Sequence, residues 1–405
     1  MGSAASNASP AVRLVAWAGL AVLTLALLEI AARIVFPLVE APGFNRANYS
    51  PQLVSGPLLN RSLAHAQIVV ESAPDDARSE HRLNLYGFRD GDWSFERDRR
   101  SRVLVIGDSM VEGFLAAPEQ TIPAVLQALS QTEGRGEEYL NLGIGGAGLR
   151  EYVRLLQDAV ALFEPDRVLF VMHANDLLGD PRFDDTLVSV DPGFARRSGL
   201  GSRIAEVFAA IAADRPVPRS WYQPPFTFFA AVPDPSNPWS GQGHKYEKFV
   251  DPGIAEAMRQ GRFNPFNVSE VQNYEHYLRQ PVEIRPWLEF VRDFLAERHI
   301  SLTLAYIPQP AQVSDAYLPY KQRYCPPGVP SLMGDEYQQG ARTLAAAAHE
   351  LGIALVDMTE PFRRHEAEGT RLYWHYDEHL NGDGYRLAAQ LLFDADGSTA
   401  GRRVE

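Results

Sequence analysis

Five short apolar-rich, strand-like runs lie at positions 103–106, 139–142, 167–172, 300–307 and 353–358, the first of them unbroken. A strand that alternates apolar and polar residues shows one face to water, whereas a continuous run such as Val103-Leu-Val-Ile106 is buried on both faces. Between these blocks, apolar positions recur at helical spacing over 122–129, 149–163, 286–298 and 336–351, and a final helix is predicted over 385–393. The helix over 286–298 starts with proline in its first turn, where the missing N–H is not needed. Strands joined by helical crossovers imply an α/β domain with a five-stranded parallel sheet covered on both faces.

The amino-terminal region, 1–37, has a different pattern. Positions 14–28 are apolar or small, and with Glu29–Arg33 the segment reaches about 20 residues, the length that spans a hydrocarbon core. It reads as a transmembrane anchor at about 14–36. Glu29 and Arg33 lie four apart, so they share a helical face and can pair. The competing reading is a cleaved signal peptide, although small residues at −3 and −1 are not cleanly placed after the apolar run. A buried helix of a soluble domain is the third reading. Arg13 lies on one side of the run, with Arg33 and Arg46 on the other, so charge sets no orientation.

Residues 38–80 show no sustained period and read as a juxtamembrane linker, with the folded domain over 81–395 and a tail over 396–405. Between the third and fourth strands, about 179–282 breaks the strand–helix rhythm and reads as an insertion. It holds one helical pattern, 202–213, and a stretch over 215–239 with seven prolines and several aromatics. Such a segment suits a cap over a cleft, a face against a membrane, or an irregular packed loop.

Composition narrows the classes. With 45% hydrophobic and 22% charged residues the chain is globular, and a formal charge of −13 leaves no basic surface for nucleic acid. Its one cysteine, Cys325 before Pro326-Pro327, excludes an internal disulfide framework and a cysteine-based zinc site.

Candidate chemistry gathers at the ends of strands. The first block ends in Gly107-Asp108-Ser109, a turn that can expose a hydroxyl where open α/β sheets bind ligands; the same residues also fit an ordinary helix N-cap. After the second block, Asn141-Leu-Gly-Ile-Gly-Gly146-Ala-Gly148 supplies a tight turn whose amides can face an anion. It lacks the order of a dinucleotide fingerprint. The third block ends in His173-Ala-Asn175-Asp176, placing an amide donor at the same edge, where a turn or helix cap is the alternative. Near the carboxyl end, Asp377-Glu378-His379 offers an imidazole to take a serine proton and a carboxylate to orient it. A metal site would need a third ligand, and His173 and His375 read as structural.

Serine, glycine, asparagine and histidine in this chain order resemble the blocks of the SGNH, or GDSL-type, hydrolase superfamily. The resemblance extends from about His81 to Phe393, and Asn84-Leu-Tyr-Gly-Phe-Arg89 is similar to the lead-in of its membrane-anchored bacterial members. It implies a three-layer α/β/α flavodoxin-like fold and no cofactor or metal. Ser109 is then the nucleophile, His379 the base, Asp377 its orienting acid, and Ser109, Gly146 and Asn175 the oxyanion donors. Two positions depart from the pattern. His173 stands where the third block usually has glycine, and Asp377 lies two residues before His379 in place of the common Asp-x-x-His. The shorter spacing resembles the acetyltransferase-like branch acting on exported polysaccharides such as alginate.

The expectation is a membrane-anchored serine esterase acting on a small-molecule or glycan ester, with its catalytic domain on the periplasmic side. An O-acyltransferase with the same residues is the alternative. A non-catalytic binding protein that keeps the fold is the second.

Overall fold

The computed structural model of the protein describes residues 9–36, 67–71, 78–177, 202–212, 250–260, 282–324 and 329–400. Between them it describes 41, 44–46, 49, 76, 226–228, 263, 267, 268, 271, 276 and 278–280. The five apolar blocks are strands β3 (Arg102–Gly107), β4 (Glu138–Gly143), β5 (Arg167–His173), β7 (Ser301–Ile307) and β8 (Ala354–Asp357). All pair in parallel in the order β4-β3-β5-β7-β8. Every residue of β3 is buried, because it is central and covered on both faces. Successive side chains point to opposite sides. Leu104 and Ile106 pack with the helices Leu149–Phe163, Arg285–Ala296 and Gln339–Leu351, while Val103 and Val105 pack with Ile122–Thr132 and Gly382–Ala400. The result is three layers, α/β/α, with the chain reversing direction across the sheet between β3 and β5. Crevices at such a reversal are where open parallel sheets bind ligands.

β4 is an edge strand whose outward amides are occupied by side chains. Tyr139 N–H donates to Gln127 Oε1 at 3.1 Å and Asn141 N–H to Asp90 Oδ2 at 2.9 Å. Satisfied edge donors leave no template for another strand.

Within the region 38–80, expected as a linker, Ala41, Phe44, Arg46 and Tyr49 are buried. Phe44 is fully buried and sits among the rings of Tyr49, Tyr86, Phe88, Trp93 and Phe163. Strand β1 (Gln67–Glu71) pairs antiparallel with β2 (Arg78–Arg82) and parallel with β6 (Phe226–Phe228), so the insertion adds a strand to a small second sheet. The insertion also contains helix α5 (Arg203–Ala212), and its helix Pro252–Arg259 buries Ile254, Ala257 and Met258 in the main core. The rest of 215–239, and Cys325, lie outside the described residues. The terminal helix runs to Ala400, into the stretch expected as tail.

Helix α1 (Pro10–Val35) has 26 residues, an 18-residue stretch with a mean hydropathy of 2.2, and none of its residues buried. At 1.5 Å per residue it is about 39 Å long, enough to cross a bilayer, and it is a candidate membrane span or signal sequence. Glu29 and Arg33 form the expected pair, at 2.8 Å.

Candidate active site

β3 stops at Gly107, and Asp108 caps the short helix α2 (Ser109–Glu112) by accepting Met110 N–H at 2.8 Å. Ser109 is therefore the first residue of a helix, and its N–H has no intrahelical acceptor. The turn closes with Gly113 N–H donating to Ser109 O at 2.9 Å. α2 sits directly on the end of β4, where a Cβ on Gly143 would lie 2.0 Å from Glu112 N. Only glycine there lets the serine helix approach the sheet this closely.

His379 reaches Ser109 from a hairpin-like loop before the terminal helix. Trp374 N–H donates to His379 O at 3.1 Å and Asn381 N–H to Leu372 O at 2.9 Å, while Tyr373 Oη donates to Pro308 O at 2.6 Å. His379 Nε2 lies 2.6 Å from Ser109 Oγ, and its Nδ1 bonds Asp377 Oδ1. The same carboxylate oxygen accepts His379 N–H at 2.9 Å, which fixes the ring against its acid. The Phe114 ring lies 4.4 Å from the imidazole, centroid to centroid, and shields one of its faces.

The acid loop has its own anchor. Asp76 accepts the N–H groups of His375, Tyr376 and Asp377 at 3.0, 3.2 and 2.9 Å. Burial, reinforced by the charge of Asp377, pushes the Asp76 carboxyl up to about 7 despite those three donors.

A second anchor holds the glycine loop after β4. Gly145 N–H donates to Glu112 Oε2 at 2.7 Å, and a Cβ on Gly145 would lie 3.8 Å from Ser109 Cβ, so this loop runs beside the serine. Gly146 is exposed with φ +73, a left-handed conformation that favours glycine. Glu112 is buried and gripped by Arg46 through two bonds of 2.9 and 2.7 Å, with His81 Nδ1 at 3.2 Å. Burial alone would raise the Glu112 carboxyl; the Arg46 guanidinium and His81 outweigh it and hold the group far below the usual range. Burial, with Arg89 nearby, lowers His81 to about 4.

Asn175 occupies the single turn Ala174–Leu177 after β5, beside Asp108. The sheet edge thus brings Ser109, His379 and Asp377 into direct contact. Gly146 follows Gly145 in the loop beside the serine and Asn175 bonds Asp108, and neither hydrogen-bonds Ser109 among the described residues.

His173, the departure from the resemblance, lies below the site. It is 2% exposed, its Nδ1 is 4.0 Å from Asp108 Oδ2, and burial, followed by the nearby His379, lowers it to about 3. It is therefore a neutral buried ring facing the cap of the serine turn. Burial also raises Asp108, and with the Asp108 charge it raises Asp176 well above the carboxylate range; Tyr152 Oη donates to Asp176 at 2.9 Å. His375 stacks on Tyr320, with ring centroids 4.4 Å apart.

Sequence reading does not find Asp76, Glu112, Arg46, His81 or Phe114. Glu112 lies one helical turn after Ser109 and is the only one of these with a local signal. Phe114 follows two residues later, and Asp76, Arg46 and His81 come from distant positions that the fold alone brings together.

Residues 271–397 match the family described as the SGNH hydrolase-like domain of the acetyltransferase AlgX. The matched stretch carries β7, β8 and the Asp377–His379 loop. That stretch belongs to the SGNH hydrolase-like family. Solved structures similar to this chain include an acetyl xylan esterase with 14% identity and a TM-score of 0.36, over 73% of this chain and 98% of that one. A psychrotrophic esterase from a Pseudoalteromonas species shares 12% identity over 74% and 99%, TM-score 0.36. A lipase/acylhydrolase from Enterococcus faecalis shares 10% over 73% and 94%, TM-score 0.37. No curated protein sequence matches the chain.

Proposed function

We propose that the protein is a membrane-anchored serine esterase that cleaves an O-acyl ester through an acyl-enzyme. The 2.6 Å contact between His379 Nε2 and Ser109 Oγ, with Asp377 on the opposite ring nitrogen, carries this reading. Ser109 Oγ bonds to the ester carbonyl carbon as its proton passes to His379 Nε2. Asp377 holds the Nδ1–H tautomer and steadies the imidazolium. The carbonyl oxygen turns negative facing the Ser109 and Gly146 N–H groups and the Asn175 amide, donors worth about 3 kcal/mol each where one has been removed from such a site. The intermediate collapses, the alcohol leaves with the proton from Nε2, and the acyl group stays on Oγ. Water, deprotonated by His379, then releases the acid. No cofactor or metal takes part in this scheme, and nucleic acid is no partner.

A second reading is O-acyl transfer to a glycan exported across the membrane, with a sugar hydroxyl in place of water. The Asp-x-His spacing and the match of 271–397 to an acetyltransferase family favour it. In both readings α1 spans the membrane and the catalytic domain faces the periplasm.

The test is hydrolysis of p-nitrophenyl acetate by the full chain in detergent, with Ser109→Ala as control. Loss of activity in the variant is expected, and equal rates would overturn the serine mechanism. Adding glycan acceptors separates the two readings: acetylated sugar supports transfer, and free acetate alone supports hydrolysis.

A further inference from the structure

Helix α5 shows an apolar face that the domain does not cover. Ile204, Val207, Phe208 and Ile211 recur at i, i+3, i+4 and i+7, which places them on one side, with Glu206 on the other. In a soluble domain such a stripe faces the core. Here Phe208 is 67% and Ile211 61% exposed, Ile204 and Val207 are only half-buried, and none of the four belongs to either core cluster.

What α5 does touch is α1. Glu29 accepts Arg203 N–H at 2.7 Å, Ile204 N–H at 3.3 Å and Ser202 Oγ–H at 3.1 Å, so a carboxylate from the apolar helix caps the start of α5. Arg203 Nε returns a bond to Phe36 O at 2.6 Å, at the end of α1. Glu29, Ala32, Val35 and Phe36 are the half-buried positions of α1 and its cap; the rest of the helix is exposed. The two helices are thus fastened at the charged end of the apolar segment, where a membrane span meets the headgroups. A carboxylate is expensive inside an apolar span unless partners satisfy it, and α5 with the preceding Ser202 supplies three of its donors.

We propose that α5 lies on the bilayer as an interfacial helix, with Phe208 and Ile211 inserted at the boundary of headgroups and acyl chains. α1 and α5 then form a two-point seat that fixes the tilt of the catalytic domain on the membrane. This rests on the reading of α1 as a membrane span. Lipid is the occupant the geometry favours because the exposed face adjoins a helix whose residues 14–28 are apolar or small and exposed.

The test uses the full chain in nanodiscs of phosphatidylethanolamine and phosphatidylglycerol, with the single cysteine removed by Cys325→Ser. Spin labels are placed one at a time through Phe208→Cys, Ile211→Cys, Leu20→Cys within α1 and Arg150→Cys on an exposed helix of the domain. Accessibility to oxygen is compared with accessibility to a water-soluble nickel complex by power saturation. Labels at 208, 211 and 20 are expected to favour oxygen, and the label at 150 the nickel complex. Nickel accessibility at 208 and 211 with oxygen preference at 20 overturns the interfacial helix and leaves the span intact. Nickel accessibility at 20 overturns the span itself. The unsubstituted chain gives a second reading, since a photoactivatable phospholipid is expected to label the tryptic peptide 204–219; its absence among labelled peptides that include α1 counts against the proposal.

Discussion

Glu112 Oε2 accepts Gly145 N–H at 2.7 Å and so joins the helix that begins with Ser109 to the loop that carries Gly146. The carboxylate is buried between Arg46 and His81. Removing one partner of a buried pair strands the other charge, at a cost of about 3–5 kcal/mol. Glu112→Ala is expected to lower the melting temperature strongly and to reduce kcat in whatever folds. A melting temperature within a degree of the parent would show that Arg46 and the glycine loop do not depend on this group.

The catalytic reading makes a graded prediction at the other end of the relay. Asp377→Asn keeps the shape of the loop but lets the imidazole adopt the wrong tautomer, so kcat is expected to fall roughly 10⁴-fold with a small change in KM. His379→Ala is expected to fall at least as far. Stopped-flow kinetics on an activated ester reads both. A loss below tenfold in Asp377→Asn would assign the orienting role to another group.

Much of this was legible in the chain. The apolar-rich blocks predict all five strands of the parallel sheet to within two residues at each end, and the pattern is plainest at β3, whose residues are all buried. The candidate residues were picked out for a related reason. Ser109, Gly146 and Asn175 each follow directly from a strand end, where topology confines ligand chemistry. Asp76 and Arg46 were hidden because their roles depend on long-range contacts, 299 residues or more from Asp76 to the amides of the acid loop and 66 from Arg46 to the Glu112 carboxylate, and no local period marks such a residue. The role of Phe44 was hidden by its setting, since one buried aromatic in an irregular segment leaves no periodic signal.

Asp76 gives a pH signature. Its folded pKa of about 7 lies above the ordinary 3.8, so between these values the native state holds a proton that the unfolded chain has lost. Stability from this group is therefore present at low pH and lost as pH rises from about 4 to about 7, by up to a few kcal/mol. Asp76→Asn cannot ionise, so the wild type is expected to lose ground against it over that range. Parallel melting curves of the two proteins, taken from pH 4 to pH 8, measure the difference; a constant offset would mean that Asp76 stays ionised throughout.

The buried histidines act in the opposite direction. His81 at about 4 and His173 at about 3 stay neutral in the fold, whereas the unfolded chain takes up protons near 6.5. Their contribution is present above pH 6.5 and lost as pH falls toward 4 and 3, at a few kcal/mol each. His173→Gly, which restores the residue usual in the family, removes one such group and is expected to flatten the acid side of the stability curve. A variant with an unchanged acid limb would show that His173 titrates in the fold as it does in water.

Phe44 tests whether region 38–80 belongs to the domain. Its ring is fully buried among five other aromatics, with Phe88 stacked at 5.5 Å and Phe163 edge-on at 5.6 Å. Truncating such a ring loses its transfer energy and leaves a cavity that neighbouring rings fill only in part, at about 3–5 kcal/mol. Arg46 lies two residues further on and holds Glu112, so the same truncation is expected to loosen the glycine loop and lower kcat along with the melting temperature. Phe44→Leu, which keeps most of the volume, is expected to recover most of both. If Phe44→Ala melts and turns over like the parent, the segment is a tether after all, and Arg46 reaches Glu112 without help from the aromatic cluster.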